Sequence, residues 1–363
     1  MTILPGKTIG IIGGGQLGRM MALEAKAMGY NVAVLEPTTN GPCAQVSDTE
    51  ILGGYNDMDA IKKLAEISDV ITYEFENIDY DALTYLEKNA NLPQGSHVLK
   101  VTQNRFAEKT AIKNMGIPVP NFHLISSLEE LKSKVFYPSV LKTTTGGYDG
   151  KGQVVLKSEA DLPSEITQEC ILEEWMPYSK EVSVIVARSI TGETSVFPVS
   201  ENIHVNNILH LSIVPARISK EVEAKAINCA RKIAEELDAI GLLGIEMFVV
   251  DDEIYINELA PRPHNSGHYT IDTCTTSQFE QHVRAVCGLP LGDVKQYTPV
   301  VMVNILGQHM KDLNQYLPLL KNSKLHLYGK AEAVVNRKMG HVNMLGDIET
   351  SLETIKKSEI WSV

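Results

Sequence analysis

Residues 146 to 153 read Gly-Gly-Tyr-Asp-Gly-Lys-Gly-Gln and lie between two apolar runs, Val140-Leu141 and Val154-Val155-Leu156. Four glycines in so short a span cost backbone entropy, and a chain tolerates them where the backbone takes unusual angles or approaches a ligand closely. One lysine, Lys151, among free N–H groups makes a cradle for an anion, a nucleotide phosphate above all, and Lys142 on the preceding strand adds a second cation. The competing reading is a hairpin loop with a solvated lysine. A Walker loop is excluded, because that motif needs Gly-Lys-Ser/Thr opening a helix, whereas Lys151 is followed by Gly152, Gln153 and a strand.

Two further constellations carry chemistry. Gly244 to Val250 and Ile254 to Leu259 flank Asp251-Asp252-Glu253 and read as a hairpin with one glutamate in each arm, Glu246 and Glu258. A three-residue loop sets these carboxylates opposite one another, and a two-residue turn puts them on different faces. Opposed like charges destabilise a sheet unless something neutralises them, and Mg²⁺ shared with nucleotide phosphates prefers such hard oxygens. The alternative is a pair of edge glutamates in water. Immediately afterwards comes Pro261-Arg262-Pro263-His264-Asn265-Ser266-Gly267-His268. A guanidinium matches a carboxylate, bicarbonate or phosphate bidentately, and the histidines are acid/base candidates or hydrogen-bonded loop residues.

The elements that position these groups follow from the pattern along the chain. Thr8 to Ile12 is a strand, Gly13, Gly15 and Gly18 form a GxGxxG turn, a helix runs through Met28, and Asn31 to Leu35 is the next strand, with Glu36 at its end. That opening fits a dinucleotide-binding oxidoreductase, any helix N-terminus that meets a phosphate, or a tight packing turn. The strand Val70 to Tyr73 leads into Glu74-Phe75-Glu76-Asn77, at the edge where open α/β sheets bind ligands. Thr102 to Met115 reads as one helix, and Ser127 with Glu130 caps another. Strands are expected at Glu169 to Glu173, Glu181 to Ala187, Thr194 to Val199, Val300 to Leu306, Leu325 to Tyr328 and Ala333 to Val335, with Arg337-Lys338 as a phosphate grip after the last.

Composition bounds the function. The chain has 363 residues, 44% hydrophobic and 21% charged, enough for two or three domains with real cores. A net charge of −12 argues against nucleic acid and anionic membrane as partners. Five scattered cysteines without a CxxC pair suggest neither a disulfide framework nor a zinc site. No run spans a bilayer and the first residues lack a signal-peptide pattern, so the expected location is the cytoplasm.

The order of these motifs resembles the ATP-grasp ligases, and among them the 5-(carboxyamino)imidazole ribonucleotide synthases of purine biosynthesis. The likeness runs from Ile9 to His341 through Gly13 to Met20, Tyr73 to Asn77, Gly146 to Gln153, Asn257 to His268 and Arg337 to His341. It implies an α/β and α+β architecture: a Rossmann-like pre-ATP-grasp domain over residues 1–95, an ATP-grasp domain over 96–298 with a lid subdomain at about 118–185, and a small β-rich domain over 299–363. By this resemblance Arg105, Lys142, the loop Gly147, Tyr148, Asp149, Gly150, Lys151, Gly152 and Gln153, then Glu173, Glu174, Trp175, Met176, Glu181, His204, Asn257 and Glu258 surround ATP. Glu246 and Glu258 hold Mg²⁺, two ions being expected. Gln16, Leu17, Glu74, Tyr148, Asp149, Arg262, Arg337 and Lys338 contact the aminoimidazole ribonucleotide, and Arg262 with its loop binds bicarbonate. Arg262, His264, Asp149 and Lys338 form the catalytic set.

The implied reaction carboxylates the exocyclic amine of that ribonucleotide through carboxyphosphate, with the glycine loop closing as a lid against water. No NAD and no biotin are expected, and a homodimer is. Three rivals are an NAD-dependent oxidoreductase, a non-catalytic nucleotide sensor and a biotin-dependent carboxylase. The first leaves the glutamate pair unexplained, the second has no use for the Arg262 loop, and the third needs a separate carrier.

Overall fold

The computed structural model describes residues 2–147 and 152–361. The expectations for Tyr148, Asp149, Gly150 and Lys151, and for the lid they belong to, lie outside the described residues.

The opening segment forms a parallel sheet from β1 (Thr8–Ile12), β2 (Asn31–Glu36), β3 (Thr49–Leu52) and β4 (Val70–Tyr73) in the order β3-β2-β1-β4. The order reverses between β1 and β4, so the crevice at their carboxyl ends is the switch point where such sheets take ligands. The turn after β1 requires glycine twice. Gly13 has φ +111°, and a side chain on Gly18 would stand 2.5 Å from the Gly13 carbonyl oxygen, so the helix Gln16–Ala27 can start only this close to the strand without one.

A second, antiparallel sheet contains β5 (Phe122–Ile125), β6 (Ser139–Thr143), β7 (Gln153–Leu156) and β8 (Cys170–Glu174), ordered β5-β8-β6-β7. The glycine loop joins β6 to β7, as its flanking apolar runs require. The remaining strands build one nine-stranded sheet: β9 (Lys180–Arg188), β10 (Thr194–Val196), β11 (Ser200–Val205), β12 (Ile208–Val214), β13 (Gly241–Val250), β14 (Glu253–Ala260), β15 (Val300–Leu306), β16 (Ser323–Leu327) and β17 (Lys338–Leu345). Its order is β14-β13-β9-β11-β12-β15-β17-β16, with β10 on the flank of β9. Strands after residue 299 therefore continue the sheet begun by β9, through the β12–β15 ladder.

The helix Lys220–Glu236 covers β9, β13 and β14 and buries Val222, Ala226, Ala230 and Ile233 against Val184, Leu243 and Ile256. The helix Gln278–Cys287 crosses to the first segment, where Phe279, Val283 and Val286 pack with Leu17, Met20 and Met21. Ser277 donates to Glu24 across this contact at 2.8 Å. The opening parallel sheet is thus tied to the body of the molecule by an apolar core.

Four expectations are corrected. The helix anticipated over Thr102 to Met115 is two, His97–Thr102 and Arg105–Asn114, because the Asn104 side chain accepts from the Phe106 and Ala107 N–H groups and starts a new helix. The strand expected over Thr194 to Val199 ends at Val196, and Ser200 opens β11. Ala333 to Val335 is no strand. Val334 and Val335 are 52% and 68% exposed, while β17 begins at Lys338 and tolerates Gly340 because the His326 carbonyl of β16 would lie 2.4 Å from a side chain there. Finally, the turn after β13 has two residues rather than three, Asp251 and Asp252, with φ of 49° and 62°.

Candidate functional site

With a two-residue turn, Glu246 and Glu258 should lie on opposite faces, yet the register pairs them directly. The reason is a β-bulge. From the turn inward Val250 faces Glu253 and Met247 faces Ile256; then the register shifts by one, and Glu246 faces Glu258. Asn257 is the extra residue, so Asn257 and Glu258 both stand against Glu246. Burial, and next the Glu258 charge, push the Glu246 carboxyl up to about 7. Two hard carboxylates forced together in this way fit a divalent cation bound jointly with phosphate oxygens. Among the described residues no cluster of three or more acidic, histidine or cysteine ligands is present, so a metal here needs oxygens from elsewhere.

His264 approaches the same carboxylate, its Nε2 3.3 Å from Glu246 Oε1. Burial, reinforced by the Arg262 and Lys338 charges, pulls its ring down to about 3, which keeps it neutral. Ser183 donates to Ser266 Oγ at 2.6 Å, which leaves the Ser266 hydroxyl proton for His264 Nδ1 at 2.8 Å. This arrangement assigns the imidazole proton to Nε2, facing Glu246. Lys338, at the start of β17, is near enough for its charge to act on His204, Glu246 and His264.

A second group of charges is carried by the two antiparallel sheets, Lys142 and Glu173 on the smaller and Glu181 and His204 on the larger. Lys142 lies 2.7 Å from Glu173 Oε2, and Glu173 is buried. Burial alone would raise that carboxyl, but Lys109, Lys142 and Arg105 outweigh it and hold it below its usual range. Glu181 meets His204 Nδ1 at 2.6 Å. Burial opposes the charged form of each, yet the contact wins, lowering Glu181 and raising His204. Arg105 donates to the Thr143 and Gly147 carbonyls at 2.9 and 2.7 Å, so it grips the chain where the glycine loop departs from β6. Met176 is buried, Trp175 is 43% exposed, and Glu174 accepts from Asn121. Gly152 has φ +74°, a conformation suited to glycine.

At the switch-point crevice the Glu74 carboxylate accepts from the Gly15 and Gly18 N–H groups at 2.5 and 2.9 Å. The positive end of the helix Gln16–Ala27 is therefore partly satisfied within the protein. Gln16 is half-buried and Leu17 buried. Glu36, the acid that a dinucleotide site would direct to a ribose, instead accepts from Gly14 at 3.1 Å and from Tyr55 at 3.2 Å. Beside this edge opens a cleft of about 480 Å³ whose walls include Tyr55, Asn77, Gln103 and Thr145.

One contact joins the crevice to the glutamate pair: Arg262 Nε lies 2.8 Å from Glu76 Oε1. Gln94 supports the junction by donating to the Pro261 carbonyl at 3.2 Å. The structure thus brings together Glu74, Glu76, Arg262, His264, Glu246 and Lys338. Arg337 is not among them. It is exposed and donates to the Glu332 carbonyl at 3.3 Å. Sequence reasoning also missed Glu108 and Lys109, buried charges on the helix Arg105–Asn114. A signal existed, since Glu108 lies one turn before buried Ile112 on the apolar stripe.

Comparisons with known proteins agree along the whole chain. Residues 6–103 match the ribonucleotide synthetase preATP-grasp domain, 110–279 the ATP-grasp domain, and 300–354 the phosphoribosylaminoimidazole carboxylase C-terminal domain. An N5-carboxyaminoimidazole ribonucleotide synthase of Bacillus subtilis is 56% identical over 94% of this chain and 92% of its own length. An N5-carboxyaminoimidazole synthetase of Staphylococcus aureus, solved with ADP, superposes with a TM-score of 0.93 at 40% identity, covering 98% of each chain. The Aspergillus clavatus synthase, solved with ADP and 5-aminoimidazole ribonucleotide, gives 0.89 at 31% identity over 97% of this chain and 96% of its own.

Proposed function

The chain belongs to the N5-carboxyaminoimidazole ribonucleotide synthase family of ATP-grasp ligases, and from that premise we propose how its residues divide the reaction. The reaction itself is the ATP-dependent carboxylation of 5-aminoimidazole ribonucleotide in purine biosynthesis.

In our reading ATP lies between the two antiparallel sheets, among Lys142, Glu173 to Met176, Glu181, His204, Gln153 and Asn257, with Arg105 holding the start of the glycine loop. Glu246 and Glu258 hold Mg²⁺, two ions in the full site, which supply charge neutralisation on the transferring phosphoryl group. A bicarbonate oxygen attacks the γ-phosphorus, ADP leaves, and carboxyphosphate forms. The ribonucleotide amine then attacks the carboxyl carbon, or CO₂ released beside it, and phosphate departs. Arg262 and neutral His264 orient the bicarbonate and carboxyl group. Gln16, Leu17, Glu74 and Lys338 bind the ribonucleotide at the crevice. The chemistry needs positioning and charge compensation rather than a protein nucleophile, and the residue types match that need.

The observation that carries this reading is the 2.8 Å contact between Arg262 and Glu76. It sets an anion-binding guanidinium four residues beyond Glu258, at the mouth of the acceptor crevice. Glu76 and the Pro263 carbonyl take up only part of its five donors. Phosphate release from ATP, measured with Mg²⁺ and bicarbonate, should rise several-fold when 5-aminoimidazole ribonucleotide is added. Equal rates with and without it would overturn the assignment of the crevice. A cytoplasmic homodimer with domains at 1–95, 96–298 and 299–363 completes the reading on the strength of the family, and sedimentation of the purified chain tests the dimer.

A further inference from the structure

We infer that Glu108 and Lys109 are positioning residues for the metal site: they hold the β14 bulge that sets Asn257 and Glu258 against Glu246. The inference rests on the reading of Glu246 and Glu258 as metal carboxylates and adds a residue pair that acts through them.

β14 stands at the end of the nine-stranded sheet. One side of an end strand has no neighbouring strand, and a bulge disturbs the ladder on its other side, so backbone groups near Asn257 need partners from outside the sheet. They find them on the helix Arg105–Asn114. Lys109 Nζ donates to the Ile256 carbonyl at 2.9 Å and also to the Asn257 carbonyl. Glu108 Oε2 accepts from the Leu259 N–H at 3.2 Å. The two side chains therefore grip the strand immediately before and immediately after Glu258. Pro118 adds one more contact, accepting from the Ile256 N–H at 2.9 Å.

This matters because the two-residue turn at Asp251-Asp252 sets an unbulged register in which Glu258 would face away from Glu246. Only a stable bulge reverses that. Lys109 and Glu108 are 1% and 2% exposed, and burying an ammonium and a carboxylate is costly unless each finds strong partners. A general stabilising role could be filled by apolar side chains of similar size. Apolar side chains could not bind the carbonyls and the amide of the bulge, so the polar pair is specific to that geometry. The same helix carries Arg105, whose contacts with Thr143 and Gly147 anchor the glycine loop. One rigid element thus references both the loop and the metal carboxylates.

The test uses the full chain and Mn²⁺ as a spectroscopic substitute for Mg²⁺, titrated in the presence of ADP. The main variant is Glu108→Met/Lys109→Met, which removes two buried opposite charges together and keeps side-chain volume, a replacement that commonly preserves folding. Mn²⁺ affinity should fall at least about tenfold, as when outer ligand supports are lost, with ADP binding in chelator changed by no more than about twofold. Hydrogen exchange at the Leu259 amide should accelerate relative to the strand interior. Lys109→Arg, which retains donors, should recover most of the Mn²⁺ affinity that Lys109→Met loses. Wild-type Mn²⁺ affinity in the folded double variant, or equal losses of metal and of metal-free nucleotide binding, would overturn the inference. Glu258→Gln serves as the control. If the wild type binds no Mn²⁺, or Glu258→Gln binds it undiminished, the metal reading itself fails and the inference falls with it.

Discussion

Carboxylates are handled in opposite ways at the two ends of the site. At the switch-point crevice Glu74 faces the Gly15 and Gly18 amides, so an acid lies against the positive end of a helix and is stabilised by the protein itself. At the β13–β14 hairpin Glu246 faces Glu258, an acid against an acid, with the ring of neutral His264 beside it and the His204 and Lys338 charges offsetting only part of the repulsion. The first arrangement offsets part of its charge without a ligand. The second stores repulsion that a cation relieves. Burial raises both Glu74 and Glu246, but backbone hydrogen bonds counteract it at Glu74, whereas the second acid adds to it at Glu246.

The contrast can be broken at four points. Glu258→Gln should lower phosphate release by roughly a thousandfold, the order expected when metal-assisted charge neutralisation of several kcal/mol is lost. Its thermal unfolding should not be weakened, because removing one of two opposed acids relieves repulsion in the metal-free protein. Glu74→Ala acts the other way. Two amides lose their acceptor, and urea unfolding should show a loss of about 2 kcal/mol in stability, with Glu74→Gln losing less because one oxygen remains.

Third, the hairpin should make the metal-free protein pH-sensitive. An unfolded glutamate ionises near 4.5 and Glu246 in the fold near 7. Between these values the folded chain keeps a proton that the unfolded chain has released. The Glu246 contribution to stability in chelator is therefore greatest below about pH 4.5 and is lost as pH rises through 7, by roughly 2 kcal/mol after allowance for solvent contact, against the opposite trend of Glu173 and Glu181, whose carboxyls the fold holds low. Unfolding curves in Glu258→Gln should show a shallower decline. An unchanged slope would mean that burial alone raises Glu246. The smallest effect belongs to the turn. Asp251→Asn with Asp252→Gly should stabilise the hairpin by about 0.5 kcal/mol and leave turnover unchanged, because the register at Glu246 depends on the bulge.

Much of the site was legible because its signals are local. The glycines of residues 13 to 18 must accept a strand-to-helix turn, and the structure places them there with Gly13 at φ +111°. The dense donor segment from Pro261 to His268 likewise announces itself, and it lies beside the crevice. Arg337 and Lys338, adjacent and alike in a string, are set apart by the fold, because β17 starts between them and leaves Arg337 exposed and Lys338 half-buried. The helix break at Asn104 was available in principle as an N-cap signal, masked by helix-forming neighbours on both sides.

The hairpin separates what the sequence determined from what tertiary structure decided. Residue type and alternation made Glu246 and Glu258 a candidate pair on two adjacent strands, and Asp251-Asp252 sufficed for a tight turn. Their opposition did not follow from those facts, since the turn length observed predicts the wrong face. It depends on an extra residue in β14, whose backbone groups are satisfied from a helix almost 150 residues earlier in the chain. Local pattern specifies which side chains can meet across a ladder. Where a ladder slips by one residue is settled by the distant groups that satisfy the backbone the slip exposes.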